Sequence, residues 1–135
     1  MPKPVSQDAI NGLTSSIIGA AIKVHRELGP GLLENAYLAC LCLLLARAGL
    51  KIETQKALPL VFEGMRLECA YRADLFIDDL AIVEVKALDT LAAVHLRQLR
   101  THTKLADCPV GLVLNFGAPV MKDGIKRILN GFPTV

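Results

Sequence analysis

The spacing of apolar residues changes at Gly49, and this change is the strongest constraint on the fold. Before Gly49, apolar residues recur every three or four positions, as on one face of a helix. After it they alternate with polar residues, as in strands, until a further helical segment begins near residue 90. An antiparallel meander followed by a helical crossover to another strand predicts an α/β domain whose mixed sheet is covered by helices.

Turn residues divide the chain into eight predicted elements in the order ααβββαβα. Gly29-Pro30-Gly31 and Gly49 end two helices, while Glu63-Gly64 and Asp78-Asp79 mark tight turns. The predicted helices cover residues 13–28, 32–48, 90–106 and 122–129, and the predicted strands cover residues 51–62, 65–77, 80–86 and 110–116. We interpret residues 1–12 as a loose N-terminal segment and residues 13–135 as one domain.

The composition restricts the classes of function. With 135 residues, 53% of them hydrophobic, the chain is long enough to bury a core without disulfides or a structural metal. Its net charge of +2 lacks the basic excess of a protein that coats nucleic acid, so nucleic-acid contact must be local. The start has no signal-peptide pattern, and the apolar run 36–46 is too short to span a bilayer. We therefore expect a cytoplasmic protein with no membrane association, and its oligomeric state stays open.

The four cysteines, Cys40, Cys42, Cys69 and Cys108, do not form a metal-binding pattern, because no CxxC pair occurs among them. We expect them to be buried free thiols that pack as small hydrophobic residues. Free thiols are typical of a reducing compartment.

Two neighbouring strands carry charges on a face that should be apolar. Alternation places Arg72 and Asp74 on one face, and Glu84 with Lys86 on one face of the next strand. A three-residue loop would pair residue 77 with residue 81 and put Asp74 opposite Glu84, with Cβ atoms about 5 Å apart. Two such carboxylates repel each other unless a cation lies between them, and a divalent metal ion meets that need.

The alternative is an ordinary buried ion-pair network of Arg72, Asp74, Glu84 and Lys86. Burying such charges is costly and rarely adds stability over apolar packing, so we favour a functional site.

Helical positions add further polar candidates. Glu34 lies among Tyr37, Leu38 and Leu41 on the apolar side of the second helix and is expected to face inward, although a first-turn carboxylate also suits the helix dipole. His25 lies on the apolar side of the first helix, where a hydrogen-bonded core histidine is at least as expected as a functional one.

On the third helix, His95, Gln98 and His102 share a stripe with Leu91, Val94 and Leu105 and are expected to face the core. Arg97, Arg100 and Lys104 lie on the opposite side, where a solvated face is a better interpretation than a phosphate site.

The segment GLLENAY, residues 31–37, resembles the signature of the GxxExxY proteins within the PD-(D/E)XK nuclease superfamily. Further segments are similar in order and spacing: VHRELGPGLLENAY, YRADLFID, AIVEVKAL, HLRQL, VGLVLNFG and MKDGIKRI. The resemblance implies a restriction-endonuclease-like αβββαβ core, here with an additional N-terminal helix and a short C-terminal helix.

The resemblance also implies roles for particular residues. Asp74 and Glu84 would bind a divalent metal with the carbonyl of Val85, and Lys86 would orient or activate the attacking water. Glu34 resembles the acidic residue of the helix region, and Gln98 resembles the glutamine that follows the catalytic strand. Where that motif commonly has an aromatic residue four positions later, this chain has His102. Possible supporting residues are Tyr37, His25, Arg72, His95 and His102.

These features and the resemblance together predict a metal-dependent phosphodiester hydrolase that uses Mg²⁺ or Mn²⁺ and acts on nucleic acid, and the resemblance implies that DNA is the favoured substrate. Two alternatives stay open: a catalytically silent binding or assembly module of the same fold, and a hydrolase of small phosphorylated molecules.

Overall fold

The structure is a computed structural model, and it describes residues 5–68 and 71–130. Helices α1 and α2 cover one face of a sheet and helix α3 covers the other. The elements are α1 Gln7–Leu28, α2 Glu34–Arg47, β1 Ile52–Ala57, β2 Leu60–Phe62, β3 Met65–Leu67, β4 Arg72–Ile77, β5 Ala81–Lys86, α3 Ala93–Leu105, β6 Val110–Asn115, a 3₁₀ turn Met121–Gly124 and β7 Ile125–Leu129. This is the mixed α/β architecture that the sequence predicts.

The main sheet has five strands in the order β1-β4-β5-β6-β7. Strands β5 and β6 pair in parallel, joined by the α3 crossover, and the other neighbours pair antiparallel. The central strands β5 and β6 are almost entirely buried, as expected for strands covered by helices on both faces.

Helix α1 begins at Gln7, six residues before the predicted start. The Ser6 hydroxyl accepts a hydrogen bond from the backbone N–H of Ala9 at 3.0 Å and caps the helix. Ile10 is fully buried in the core and extends the apolar stripe that continues through Leu13. Residues 7–12 are therefore helical and Ile10 packs into the core, whereas residues 1–12 were predicted to be a loose segment.

The first predicted hairpin is divided between two sheets. Residues 51–62 form β1 and β2, with Pro59, which has no backbone N–H, in the gap between them. Strands β2 and β3 pair with each other, and β1 pairs with β4. The predicted turn at Glu63 and Gly64 is confirmed, because both residues have positive φ angles, of 53° and 74°, and join the Phe62–Met65 pair.

The predicted C-terminal helix over residues 122–129 is wrong. The chain makes a 3₁₀ turn and then forms β7, which pairs antiparallel with β6. A Cβ atom at Gly124 would lie 2.3 Å from the carbonyl oxygen of Asn115, so the chain passes directly against β6 at this point. Pairing with the free edge of β6 outweighs the helical pattern because it satisfies backbone groups along that whole edge.

Helix α3 packs closely on β6 at Gly111. A Cβ atom there would lie 2.4 Å from the Thr103 hydroxyl oxygen and 3.0 Å from a methyl carbon of Leu99. Leu99 and Thr103 are the buried residues of this helix, whereas Val94 and Gln98 are exposed. The buried stripe is thus rotated from the predicted one, because the close contact at Gly111 fixes which side of the helix meets the sheet.

Candidate active site

The Asp74 carboxylate lies where strands β4 and β5 separate. The predicted register is confirmed: Ile77 pairs with Ala81, and the ladder continues to Leu75 and Val83. Beyond that pair, the backbone N–H of Val85 donates to Oδ2 of Asp74 at 2.8 Å. The side chain of Asp74 therefore takes the place of a backbone acceptor at the end of the ladder.

The carbonyl of Val85 faces the same side as Asp74. The carbonyl of Lys86 accepts a hydrogen bond from the backbone N–H of Phe116 at 2.8 Å and so points towards β6. Because successive carbonyls of a strand point to opposite neighbours, the Val85 carbonyl points towards β4. An oxygen donor from the main chain thus lies on the side of β5 that carries the Asp74 contact.

Glu84 is buried, with 6% of its surface exposed, and contacts helix α3. Its Oε2 lies 3.3 Å from Nδ1 of His102, whose side chain is 12% exposed. The His102 ring also meets the ring of Tyr71 edge-on, with centroids 5.8 Å apart. His102 thus joins the third helix to the carboxylate at the centre of the predicted site.

Lys86 ends strand β5 and is half-buried. Strand alternation places its side chain on the same face as that of Glu84. Among residues 5–68 and 71–130, its ammonium group has no hydrogen-bond or ion-pair partner. The buried ion-pair network considered as the alternative is therefore not formed by Lys86 within these residues.

Glu34 does not face the core, which corrects the prediction made for it. It is the first residue of α2 and is exposed. It lines an open groove of about 430 Å³ together with Leu33 and Ala87, the residue that follows Lys86. Glu34 therefore lies beside the end of strand β5, and its part in the site stays a prediction.

Gln98 and His95 lie on helix α3 outside its buried face, which is formed by Leu99 and Thr103. Gln98 is exposed and lies one helical turn before His102. The Nδ1 atom of His95 accepts a hydrogen bond from the backbone N–H of Ala92 at 2.9 Å, which caps the start of the helix. Of His95, Gln98 and His102, the side chain that is hydrogen-bonded to Glu84 is that of His102.

Tyr37 stabilises the loop that precedes Glu34. Its hydroxyl donates to the carbonyl of Gly29 and accepts a hydrogen bond from the backbone N–H of Leu32 at 3.0 Å. Its ring stacks on that of Phe116, with centroids 4.6 Å apart. The tyrosine of the GLLENAY segment therefore joins this loop to the end of strand β6.

His25 and Arg72 make structural contacts with backbone carbonyls. Nε2 of His25 lies 2.7 Å from the carbonyl oxygen of Ala118, and the His25 side chain is buried, as expected of a core histidine. Arg72 is exposed, and its guanidinium donates to the carbonyl of Gln55 at 3.3 Å. Neither residue has a hydrogen bond or ion pair with Asp74 or Glu84.

A family model of the PD-(D/E)XK nuclease superfamily matches residues 11–128. The chain belongs to this superfamily. No curated protein and no solved structure matches the chain significantly. The five-stranded mixed sheet between helices is consistent with the restriction-endonuclease-like fold.

Members of the PD-(D/E)XK superfamily are generally nucleases that depend on a divalent metal, and the donor atoms of this site fit such an ion. The two carboxylates and the Val85 carbonyl are all oxygen donors, which Mg²⁺ and Mn²⁺ prefer. Within the described chain, no three His, Cys, Asp or Glu side chains are grouped closely enough to hold a metal. Mg²⁺ sites in proteins commonly use one or two carboxylates and fill the other positions with water and phosphate oxygens.

Sequence reasoning missed Asn115, which holds the segment after β5 in this PD-(D/E)XK domain. Its buried side-chain amide accepts hydrogen bonds from the backbone N–H groups of Leu88, at 2.8 Å, and Gly117, at 3.2 Å, and donates to the carbonyl of Leu88 at 3.0 Å. A Cβ atom at Gly117 would lie 2.2 Å from that carbonyl oxygen. A polar residue closing an otherwise apolar strand was the available signal.

Of the described cysteines, Cys108 is buried as predicted, whereas Cys40 and Cys42 are only half-buried. Cys40, Cys42 and Cys108 are free, and Cys69 lies outside the described residues. Burial raises the pKa of the Cys108 thiol to about 11 and also raises the pKa of Cys42. A thiol that stays protonated is a poor nucleophile and a poor metal ligand.

Two further findings concern the helices. Arg97, Arg100 and Lys104 are exposed on the side of α3 away from Leu99 and Thr103. Among the described residues, no helix has both the length and the apolar character that a membrane span needs.

Proposed function

We propose that this protein is a Mg²⁺- or Mn²⁺-dependent nuclease of the GxxExxY family, with DNA as its substrate. The observation that carries the proposal is the buried Glu84 carboxylate on the strand next to Asp74, at the point where β4 and β5 separate. A buried carboxylate costs folding energy, and a bound cation would offset that cost.

The residues would divide the work of phosphodiester hydrolysis. Asp74, Glu84 and the carbonyl of Val85 would hold the ion, which supplies charge neutralisation at the phosphate and a more acidic bound water. Lys86 has no ion-pair partner in the described chain, so its ammonium group is available to orient the attacking water and to stabilise charge that develops on the phosphate. Glu34 and Gln98, whose side chains are exposed, would contribute to catalysis at the outer edge of the site.

A second candidate is a hydrolase of small phosphorylated molecules. The observation in its favour is that the three cations of α3 lie on the face opposite the buried side of the helix. A long nucleic acid usually needs several phosphate contacts for affinity, whereas a nucleotide needs few. This candidate uses the same metal-binding residues.

The test is cleavage of plasmid, linear duplex, single-stranded DNA, RNA and nucleotides with Mg²⁺, Mn²⁺ or EDTA. Asp74→Asn is the informative variant because the amide oxygen can still accept from the Val85 N–H while the charge is lost. Asp8→Asn removes an exposed charge in the first turn of α1 and serves as the matched control. We expect metal-dependent cleavage of DNA that Asp74→Asn abolishes and Asp8→Asn preserves.

Cleavage of nucleotides alone would favour the second candidate. Absence of turnover on every substrate, with ligand binding unchanged in Asp74→Asn, would leave the protein as a binding module of the same fold.

A cytoplasmic location is part of the proposal, since the described cysteines are free.

A further inference from the structure

His102 reaches from helix α3 to the carboxylate that we assign to the metal. The contact between its Nδ1 and Oε2 of Glu84 is 3.3 Å long, and both side chains are largely shielded from water. Among the described residues, His102 is the hydrogen-bond partner of Glu84. The orientation of this buried carboxylate therefore depends on one imidazole.

The direction of the hydrogen bond follows from the chemistry of the two groups. A carboxylate that binds a cation is ionised and only accepts hydrogen bonds, so in the metal-bound protein Nδ1 of His102 would carry the proton that it shares with Oε2. The other carboxylate oxygen, Oε1, is then left free for a cation. The edge-on contact with Tyr71 restricts rotation of the imidazole, because a rotated ring would lose this packing.

We propose that His102 is a positioning residue of the metal site, which fixes the Glu84 carboxylate so that Oε1 faces the ion. The proposal rests on the proposed function, since it assumes that Glu84 binds the metal. Outer residues that hold a ligating carboxylate typically change metal affinity by 10- to 100-fold when they are removed. The resemblance to the nuclease family implies only a possible supporting part for His102, and its contact with Oε2 of Glu84 is what points to this specific role.

Three substitutions separate positioning from packing. In His102→Asn, the amide nitrogen takes nearly the place of Nδ1, so the donor to Glu84 is kept. In His102→Gln, the nitrogen lies further out, near the place of Nε2, and the donor is misplaced. His102→Phe keeps a ring against Tyr71 but has no donor. Arg100→Ala, an exposed change on the same helix, is the matched control.

The measurements are Mn²⁺ and Mg²⁺ binding by calorimetry, with melting temperatures recorded without metal. We expect about a 10- to 100-fold loss of affinity for both ions in His102→Phe and His102→Gln, and recovery to within about threefold of the wild type in His102→Asn. Arg100→Ala should bind both ions as the wild type does.

Several results would overturn the proposal. Equal affinities of the asparagine and glutamine variants would show that the donor position does not matter, and this comparison holds even if His102→Phe fails to fold. A loss confined to Mn²⁺ would mean that His102 is itself a ligand, because imidazole suits Mn²⁺ better than Mg²⁺. If the wild type binds neither ion, the proposed function itself fails. If the wild type binds both ions and the His102 variants bind them equally well, only the role proposed for His102 fails.

Discussion

A buried carboxylate such as that of Glu84 destabilises a folded protein unless hydrogen bonds or a nearby cation replace its lost hydration. Here the imidazole of His102 compensates one oxygen, and Asp74 is satisfied by the N–H of Val85. Lys86 is on the same face of β5 as Glu84 but pairs with neither carboxylate. The residues of one short strand thus have different surroundings, which suits different roles in the same reaction.

This difference predicts that Lys86→Ala and Glu84→Gln fail in distinct ways. Lys86→Ala should keep the fold and most of the Mn²⁺ affinity but lose about 100- to 10,000-fold in cleavage rate, because one preorganised charge is removed. Glu84→Gln should lose both metal affinity and cleavage. Cleavage rates and calorimetric titrations of the two variants provide the check. Equal losses of Mn²⁺ affinity would show that Lys86 contributes to metal binding itself.

At the scale of elements, the contact between α3 and β6 decides whether His102 reaches Glu84. Gly111 lets the helix approach so closely that Thr103 and Leu99 occupy the space of a missing side chain. The same approach turns the helix so that His102 lies at the border of the buried stripe, beside strand β5. A change in the distance between α3 and β6 would therefore alter the contact between His102 and the Glu84 carboxylate.

Gly111→Ala should destabilise the protein by about 1–3 kcal/mol, since the new methyl group overlaps Thr103 and cannot be accommodated without moving the helix. Gly12→Ala is the matched control, because this glycine is exposed within α1 and has no atom close to its missing Cβ. Alanine is a better helix former there and should add about 0.5–1 kcal/mol. Denaturant unfolding measures both, and a neutral Gly111→Ala would show that the contact is not tight.

The same elements show what local pattern can predict. Three features were predictable because they depend on residues that are neighbours in sequence. They are the turn at residues 63–64, the strand register set by Ile77 and Ala81, and helix α2. Strand β7 was not, because its helical spacing is outweighed by pairing with a strand that is distant in sequence. The rotation of α3 was missed because it depends on the absence of a side chain at Gly111, on another element.

The candidate site divides in the same way. Strand alternation predicts that Asp74, Glu84 and Lys86 share a face, since parity needs no tertiary information, and their common part in a site stays a prediction. The contact of His102 with Glu84 and the exposure of Glu34 depend on how helices sit on the sheet. Asn115 was missed because its partners are backbone atoms of Leu88, which side-chain patterns do not reveal.

At the scale of the whole molecule, the buried thiol of Cys108 couples folding to alkaline pH. The thiol lies in the core between the sheet and α3, and desolvation raises its pKa from the ordinary value of 9.0 to about 11. Above pH 9 the unfolded chain loses this proton, whereas the folded chain keeps it until about pH 11. The unfolded state therefore binds fewer protons, and the free energy of unfolding falls as the pH rises through this window.

We expect this group to remove about 2–3 kcal/mol of stability between pH 9 and pH 11. Cys108→Ala leaves a small cavity but has no thiol to ionise, so its stability should change less across the same window. Urea unfolding of both proteins at several pH values measures the difference. Identical pH profiles would mean that the Cys108 thiol ionises equally in the folded and unfolded chains.

The Asp74 carboxylate, which we propose as a metal ligand, also has a structural role. It accepts a hydrogen bond from the Val85 N–H at the end of the β4–β5 ladder. Any event that draws electron density from this carboxylate must alter the electronic environment of one backbone proton. The Val85 amide resonance in a ¹⁵N-labelled sample therefore provides a built-in spectroscopic reporter, which follows the state of Asp74 without a substrate, a dye or a mutation.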